Sequence, residues 1–349
     1  MMNNTFKPDQ LKAFTQEILK RAGLSISEST IVAESLIEAE LRGLGSHGLT
    51  RLRTYSKRVK TKVVLANVEP KILNTSKTAL LVDGSNGMGA AIGLKVMQLC
   101  IDRAKEYGTC FASVNRGNHF GIGAYFTMHA AKQNMIGIAM SNAPASVVPT
   151  GGKKPMLGTN PLSIAIPAGK YPPLVLDMAC SVVAQGKVIL AVNEKKDSIP
   201  PNWAVDENGD MTTDPQTALK GAMLPFGGPK GYAIAFIVDI LASALSGALN
   251  STRIRSYWNN FEEPQDLGYF FGAFNIESFL DIDSFKNKID DLFDEMRSCP
   301  PAKGYDRVYI PGELEYMKSE EAKKNGIQLG ETVVDDLTKL GEEYGVHFM

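Results

Sequence analysis

Leu80-Leu81-Val82-Asp83-Gly84-Ser85-Asn86-Gly87-Met88-Gly89-Ala90-Ala91-Ile92-Gly93 reads as a strand, a glycine turn and the start of a helix. A strand that runs into such a turn imitates the dinucleotide fingerprint, in which closely spaced glycines let a pyrophosphate rest on a helix N-terminus. The glycines here are spaced GxGxxxG, one residue off the fingerprint GxGxxG. The next extended run, Cys110 to Asn115, ends without the acidic residue that would hold a ribose. Both departures argue against a Rossmann domain, and the glycines read as turn and packing residues.

Outward from that stretch the pattern alternates between short β runs and helices. Strands are predicted at Thr78 to Val82, Cys110 to Val114, Ile136 to Ser141, Leu162 to Pro167, Leu174 to Leu176 and Tyr269 to Asn275. Between and after them, helices are predicted over 89–106, 122–134, 182–194 and 283–297, which makes an α/β core. Ahead of the core stand two helical patterns, 8–23 and 27–42, the second capped by Ser27 or Ser29, and a third over 47–60. Residues 196–226 are polar and turn-rich. Closing helices follow Pro311-Gly312-Glu313.

The chain has 349 residues, 44% of them hydrophobic, with a formal charge of −1, enough for one large or two ordinary domains. Lysine and arginine are scattered, so the electrostatic footprint of a nucleic-acid partner is missing. No run approaches the ~18 to 20 apolar residues of a membrane span, and the polar start Met-Met-Asn-Asn-Thr does not look like a signal peptide. A cytoplasmic location is expected. Four widely spaced cysteines (Cys100, Cys110, Cys180, Cys299) without a CxxC pair suggest neither disulfides nor a zinc site, and no metal is expected.

The chemistry concentrates around two of the four histidines, both in glycine-rich segments. Gly43-Leu44-Gly45-Ser46-His47-Gly48-Leu49-Thr50-Arg51 puts a histidine behind a glycine hinge. On a helix over 47–60, His47, Arg51 and Tyr55 would share one stripe. That stripe offers a proton donor, a fork for a carboxylate and a phenol, which suits a 2-oxo or 2-hydroxy acid. Asn115-Arg116-Gly117-Asn118-His119-Phe120-Gly121-Ile122-Gly123 presents His119 in the same manner. His129 sits in a helical pattern and reads as structural, and His347 lies in the C-terminal tail.

Two further places point to a ligand. The run ending in Asp177-Met178-Ala179-Cys180-Ser181 closes a strand with small and acidic residues, where α/β sheets commonly meet ligands, although Asp177 could equally cap the next helix. Lys230, in Gly227-Gly228-Pro229-Lys230-Gly231-Tyr232, opposes a helix dipole unless it holds an anion. The helix it opens, about 232–247, is so apolar that it must be buried in the core or at a subunit interface.

These blocks occur in a recognisable order: Arg42-Gly43-x-x-Ser46-His47-Gly48-x-x-Arg51, Gly117-Asn118-His119-Phe120-Gly121, Gly158-Thr159-Asn160-Pro161, Leu176-Asp177-Met178-Ala179, Gly227 to Tyr232 and Pro311-Gly312-Glu313. From about residue 10 to 340 the chain resembles the type-2 malate/L-lactate dehydrogenase family, whose members also include ureidoglycolate, sulfolactate and diketogulonate oxidoreductases.

The resemblance implies a three-layer α/β/α fold with a mixed sheet, a non-Rossmann NAD(P) site and a helical region built from both chain ends. The expected division is 1–75 helical, 76–300 core and 301–349 returning to the helical region. A homodimer sharing its active sites is also implied. For chemistry, His47 and His119 match the two histidines given acid/base roles in different members; of the two we take His119 as the principal acid/base, with His47 orienting the carbonyl or sharing the proton, and Ser46, Arg51 and Tyr55 are implied as substrate contacts. For the cofactor, NAD with NADP possible, it implies Asn142, Ala143, Asp177, Met178, Ala179, Ser181, Lys230, Gly231 and Asp306. Many relatives carry a hydroxyl residue at Ala143, so only a backbone contact can be inherited there. The expected reaction interconverts malate and oxaloacetate, with ureidoglycolate oxidation as the enzymatic alternative and a non-catalytic NAD-binding protein as the remote one. A second substrate carboxylate would call for Arg53 or Arg116, and a ureido group for Asn118 or Asn142.

Overall fold

The computed structural model describes residues 4–348, so the first residues of the polar start, Met1 to Asn3, lie outside the described residues. From the N-terminus come β1 (Thr5–Phe6), α1 (Pro8–Ala22) and α2 (Ile26–Leu41). Helix α1 starts on Pro8 and buries Leu11, Phe14, Ile18 and Leu19, an i, i+3, i+7, i+8 stripe. Helix α2 is capped by Ser25, whose side chain accepts from the Glu28 N–H, and not by Ser27 or Ser29.

The single helix expected over 47–60 is broken. Two short 3₁₀ turns, Gly45–His47 and Leu49–Arg51, precede α3 (Leu52–Lys60). The physical reason is Glu40 of α2, whose Oε1 accepts the Leu49 N–H at 2.7 Å. That carboxylate occupies the space beside Gly48, where any Cβ would collide with it. A continuous α-helix would have no room for the group.

Next come β2 (Lys71–Thr75), β3 (Ala79–Asp83), α4 (Gly89–Tyr107), β4 (Thr109–Gly117), α5 (Ala124–Ala131), β5 (Met135–Ser141), β6 (Leu162–Ile166) and β7 (Leu174–Met178). Helix α6 (Gln185–Asn193) begins three residues later than expected. The turn-rich stretch holds a small sheet of β8 (Ala204–Val205), β9 (Met211–Thr212) and β10 (Ala222–Met223) around α7 (Pro215–Lys220). Helix α8 (Pro229–Asp239) passes into a π turn over Ile240–Ala244, followed by β11 (Leu267–Asn275), α9 (Ile282–Ser298), α10 (Glu313–Asn325), β12 (Ile327–Gln328) and α11 (Glu331–Tyr344).

The main sheet has seven strands in the order β2-β3-β4-β11-β5-β6-β7. Strands β3 and β4 run parallel, and every other neighbouring pair is antiparallel. The late strand β11 therefore lies in the middle of the sheet, between β4 and β5. Alternation along it serves two layers. Phe271 meets Phe126 of α5 on one face, and Gly268 on the other lets the Ala242 carbonyl of the π turn approach. The mixed sheet with helices on both faces is the α/β architecture expected, and it is not a Rossmann sheet.

The GxGxxxG run serves packing. A Cβ at Gly89 would overlap the carbonyl oxygens of Asn118 and His119, and one at Gly93 would sit 2.8 Å from the Phe126 ring. The glycines thus seat α4 directly on the His119 loop and the aromatic core. Elsewhere, Leu11, Ile18 and Leu19 share a core with Leu36, Leu52, Leu337, Leu340 and Phe348, which joins both chain ends, and β1 pairs with β12.

Gly89→Ala is expected to cost about 1–3 kcal/mol by overpacking, because the opposing atoms are backbone and cannot rotate away. Thermal unfolding checks this. A variant as stable as the wild type would show that α4 and the loop have slack.

Candidate active site

His119 stands in the loop from β4 to α5, which is turned by the left-handed Arg116 (φ 52) and Gly121 (φ 87) and held by the His119 N–H donating to Gln265 Oε1 at 3.1 Å. Its Nδ1 lies 2.6 Å from the Tyr55 hydroxyl. The phenol is only 4% exposed and engages Nδ1, which leaves Nε2 as the ring's other nitrogen. Tyr55, expected as a substrate contact, is placed here against His119.

His47, carried by the first 3₁₀ turn, stacks its ring 5.6 Å from that of His119, and Ser46 Oγ sits 3.0 Å from its Nδ1. Arg51 is 9% exposed, and its Nε has no partner among the described residues. A guanidinium held in this way has a free edge for a carboxylate. The broken helix therefore still delivers His47, Arg51 and Tyr55 to one place.

The other wall was not anticipated from sequence. Tyr257 stacks on His119 (4.8 Å, 7° between planes), and Trp258 covers the Arg51 guanidinium at 4.2 Å. One irregular segment, ahead of β11, carries both rings and Gln265. Trp258, one of two tryptophans in the chain, was the available signal.

Burial dominates the electrostatics. It pushes His47 down to about 4 and His119 well below the ordinary histidine range, with Arg51 adding to both and His47 adding to the second. Both imidazoles are neutral in the free site at neutral pH. An anion bound beside Arg51 would favour their protonated forms, so ligand binding and proton uptake are linked.

Most of the expected cofactor residues form one contiguous surface at the ends of β5 and β7. The Cys180 N–H donates to Thr159 O, the Phe226 N–H to Cys180 O, and the Gly231 N–H to Phe226 O. Ala143 donates its N–H to Asn160 Oδ1, which leaves its carbonyl as the contact it could offer. The Asn142 side chain is spent on Asp239, Leu249 and Gly268, and Ser181 Oγ on Val183 O, so neither offers a free side-chain group. Asp177 accepts the Ala124 N–H and so caps α5 rather than the following α6; burial raises its carboxyl to about 6. Met178 and Ala179 are partly buried beside it, and Asp306 is exposed and accepts from the Tyr309 hydroxyl. Lys230 is exposed at the start of α8, behind the left-handed Gly227 and Gly228, which have open space around them. An exposed ammonium at a helix N-terminus fits a cofactor phosphate.

The polar groups considered for a second substrate group are otherwise engaged. Arg53 pairs with Asp336 and Glu343, Arg116 with Asp83, and the Asn118 amide nitrogen bonds Asn86 and Gly87.

Paired neutral histidines and a buried arginine suit an acid that exchanges a proton, and the exposed Lys230 suits a second anion. The sequence model of malate/L-lactate dehydrogenases matches residues 6–338, and the chain belongs to that family of NAD(P)-dependent 2-hydroxy-acid dehydrogenases. It is 37% identical to the L-sulfolactate dehydrogenase of Methanocaldococcus jannaschii (98% of this chain, 97% of that one) and 34% identical to the malate dehydrogenase of Pyrococcus abyssi (97% and 94%). The ureidoglycolate dehydrogenase (NAD(+)) of Escherichia coli K12 and the (2R)-3-sulfolactate dehydrogenase (NADP(+)) of Chromohalobacter salexigens are each 32% identical, over 94% and 91% of this chain and 92% of each of theirs. The crystal structure of malate dehydrogenase from Entamoeba histolytica superposes with a TM-score of 0.94 at 32% identity, covering 99% of both chains.

Because the folded histidines hold protons more weakly than the unfolded ones, the unfolded state binds more protons between about pH 4 and 6.5, and this contribution to stability falls as pH drops through that window. His47→Asn and His119→Asn should therefore lose less of their thermal midpoint between pH 7 and 5 than the wild type. A wild-type slope in both variants would mean that the histidines are not held neutral by burial.

Proposed function

We propose that the protein reduces a 2-oxo acid to the 2-hydroxy acid, and performs the reverse, with oxaloacetate and malate as its pair and NAD(H) as its cofactor. The observation that carries this is the buried Arg51 with its unpartnered Nε beside two neutral imidazoles. The reduced nicotinamide supplies the hydride. Arg51 holds the C1 carboxylate edge-on while Trp258 shields its face. The bound anion raises the proton affinity of His119, and Nε2 of the imidazolium protonates the carbonyl oxygen as it gains negative charge. Tyr55 stabilises the imidazolium by accepting from Nδ1, and His47 orients the carbonyl. Lys230 binds a cofactor phosphate.

Oxaloacetate is chosen on the similarity to the malate dehydrogenases; the groups weighed for a second substrate function, Arg53, Arg116, the Asn118 amide nitrogen and the Asn142 side chain, are all engaged within the fold and favour neither a dianion nor a ureido acid. Sulfolactate is the second reading, supported by the similarity to the archaeal L-sulfolactate dehydrogenase. We also propose a homodimer. Phe236, Ile237, Ile240 and Leu245 of α8 and its π turn are exposed in the single chain, contrary to the burial their composition demands, and a second copy would cover them.

Oxidation of NADH and of NADPH, followed at 340 nm with oxaloacetate, sulfopyruvate, pyruvate and diketogulonate, tests the substrate and cofactor; the reverse direction tests ureidoglycolate and sulfolactate. Oxaloacetate with NADH should be fastest, and a clear preference for sulfopyruvate would move the substrate. His119→Asn is expected to lower kcat/KM by about 10²–10⁴-fold. Arg51→Lys should raise the oxo-acid KM by roughly tenfold or more, because an ammonium cannot replace the fork. Lys230→Met should raise the KM for the nicotinamide and leave that of the oxo acid in place. An unchanged nicotinamide KM would put the phosphate elsewhere.

A further inference from the structure

Behind His119 lies a small cavity of about 10 Å³, lined by Tyr55, Arg58, Asn118, His119, Tyr257 and Gln265. Arg58 is 2% exposed, a costly place for a guanidinium. Its Nη1 donates to the carbonyls of Tyr257 (3.4 Å) and Asn260 (2.5 Å). Its Nε and Nη2 have no protein partner among the described residues, and neither has Asn118 Oδ1 on the same cavity. Two buried donors and one buried acceptor around a space of this size match the needs of a single water.

We propose that Arg58 is a positioning residue for the reaction: it fastens the Tyr257–Trp258 segment to the helix that carries Tyr55, and one water joins its free N–H groups to Asn118. The inference rests on the reading of His119 and Arg51 as the reacting and binding groups. Arg58 acts through others. By holding the Tyr257 carbonyl it sets the ring that stacks on His119, and the next residue, Trp258, is thereby laid on Arg51. Through the water it ties this wall to the residue preceding His119. Three stretches distant in sequence, 58, 118 and 257–265, are locked by one side chain.

The test uses the full chain with Trp203→Phe as background, so that Trp258 is the sole emitting indole. Arg58→Met should change the intensity and wavelength of Trp258 emission as the half-exposed indole leaves the guanidinium, and should raise the oxo-acid KM roughly tenfold while the nicotinamide KM stays put. Arg58→Lys, which keeps the charge and can reach one carbonyl, should fall between the two. Emission and oxo-acid KM unchanged in Arg58→Met would overturn the proposal, as would equal losses in both KM values with a collapse of the thermal midpoint in both variants, which marks a merely structural role. The emission arm needs no turnover, so it stands even if the substrate panel is silent. In a crystal structure of the free protein, density for one water within hydrogen-bonding distance of Arg58 and Asn118 is expected, and a cavity without it, in a map that shows other buried waters, would overturn the bridging.

Discussion

The contact on which the site depends is between backbones. At Gly89 the first turn of α4 rests against the carbonyls of Asn118 and His119 with no side chain between them. The helix is itself anchored by the aromatic core under the sheet, where Gly93 admits the Phe126 ring. The six residues between β4 and α5, with the left-handed Gly121 among them and the left-handed Arg116 just before, would otherwise sample many conformations, and their entropy would be spent each time a ligand bound. Here they are fixed in advance. The Tyr269 hydroxyl, donating to the Asn118 carbonyl, adds a second clamp from the central strand.

Around that fixed loop the chemistry is assembled by desolvation. Two histidines, two arginines and two tyrosines meet here, and the nearby Glu40 carboxylate is taken up by the Leu49 N–H, so the outcome is neutral imidazoles beside a cationic fork. A buried cation of this kind is poorly satisfied alone, and a bound acid relieves it.

Local signals carried much of this. The seven-stranded core was visible wherever a strand was buried and apolar, and the exposed β2 was missed because Lys71 to Thr75 has no buried face to produce an alternating pattern. His47, Arg51 and His119 stood out through glycine context and scarcity. The helix expected to carry the first two was wrong in detail, since propensity says nothing of a carboxylate from α2 entering the turn. Tyr257 and Gln265 were invisible for a related reason, since an irregular segment has no period; like Arg58 on α3, they acquire a role only through partners some 140 to 200 positions away in the chain. The apolar helix α8 was legible as something to be covered, and among the described residues Phe236, Ile237 and Ile240 nevertheless stay exposed.

Strand β11 pairs on both sides, with β4 from residues 109–117 and with β5 from residues 135–141, yet it begins only at Leu267. During synthesis the two flanking strands leave the ribosome long before the strand that separates them. Until then each carries a bare, apolar edge, and the two could pair wrongly with each other or with another nascent chain. The loop that bears His119 leaves β4 beside this gap, so the candidate site takes shape only after about four-fifths of the polypeptide has been made. The long sequence separation of these pairings makes the late closure of the sheet the step at which this protein is most exposed to aggregation.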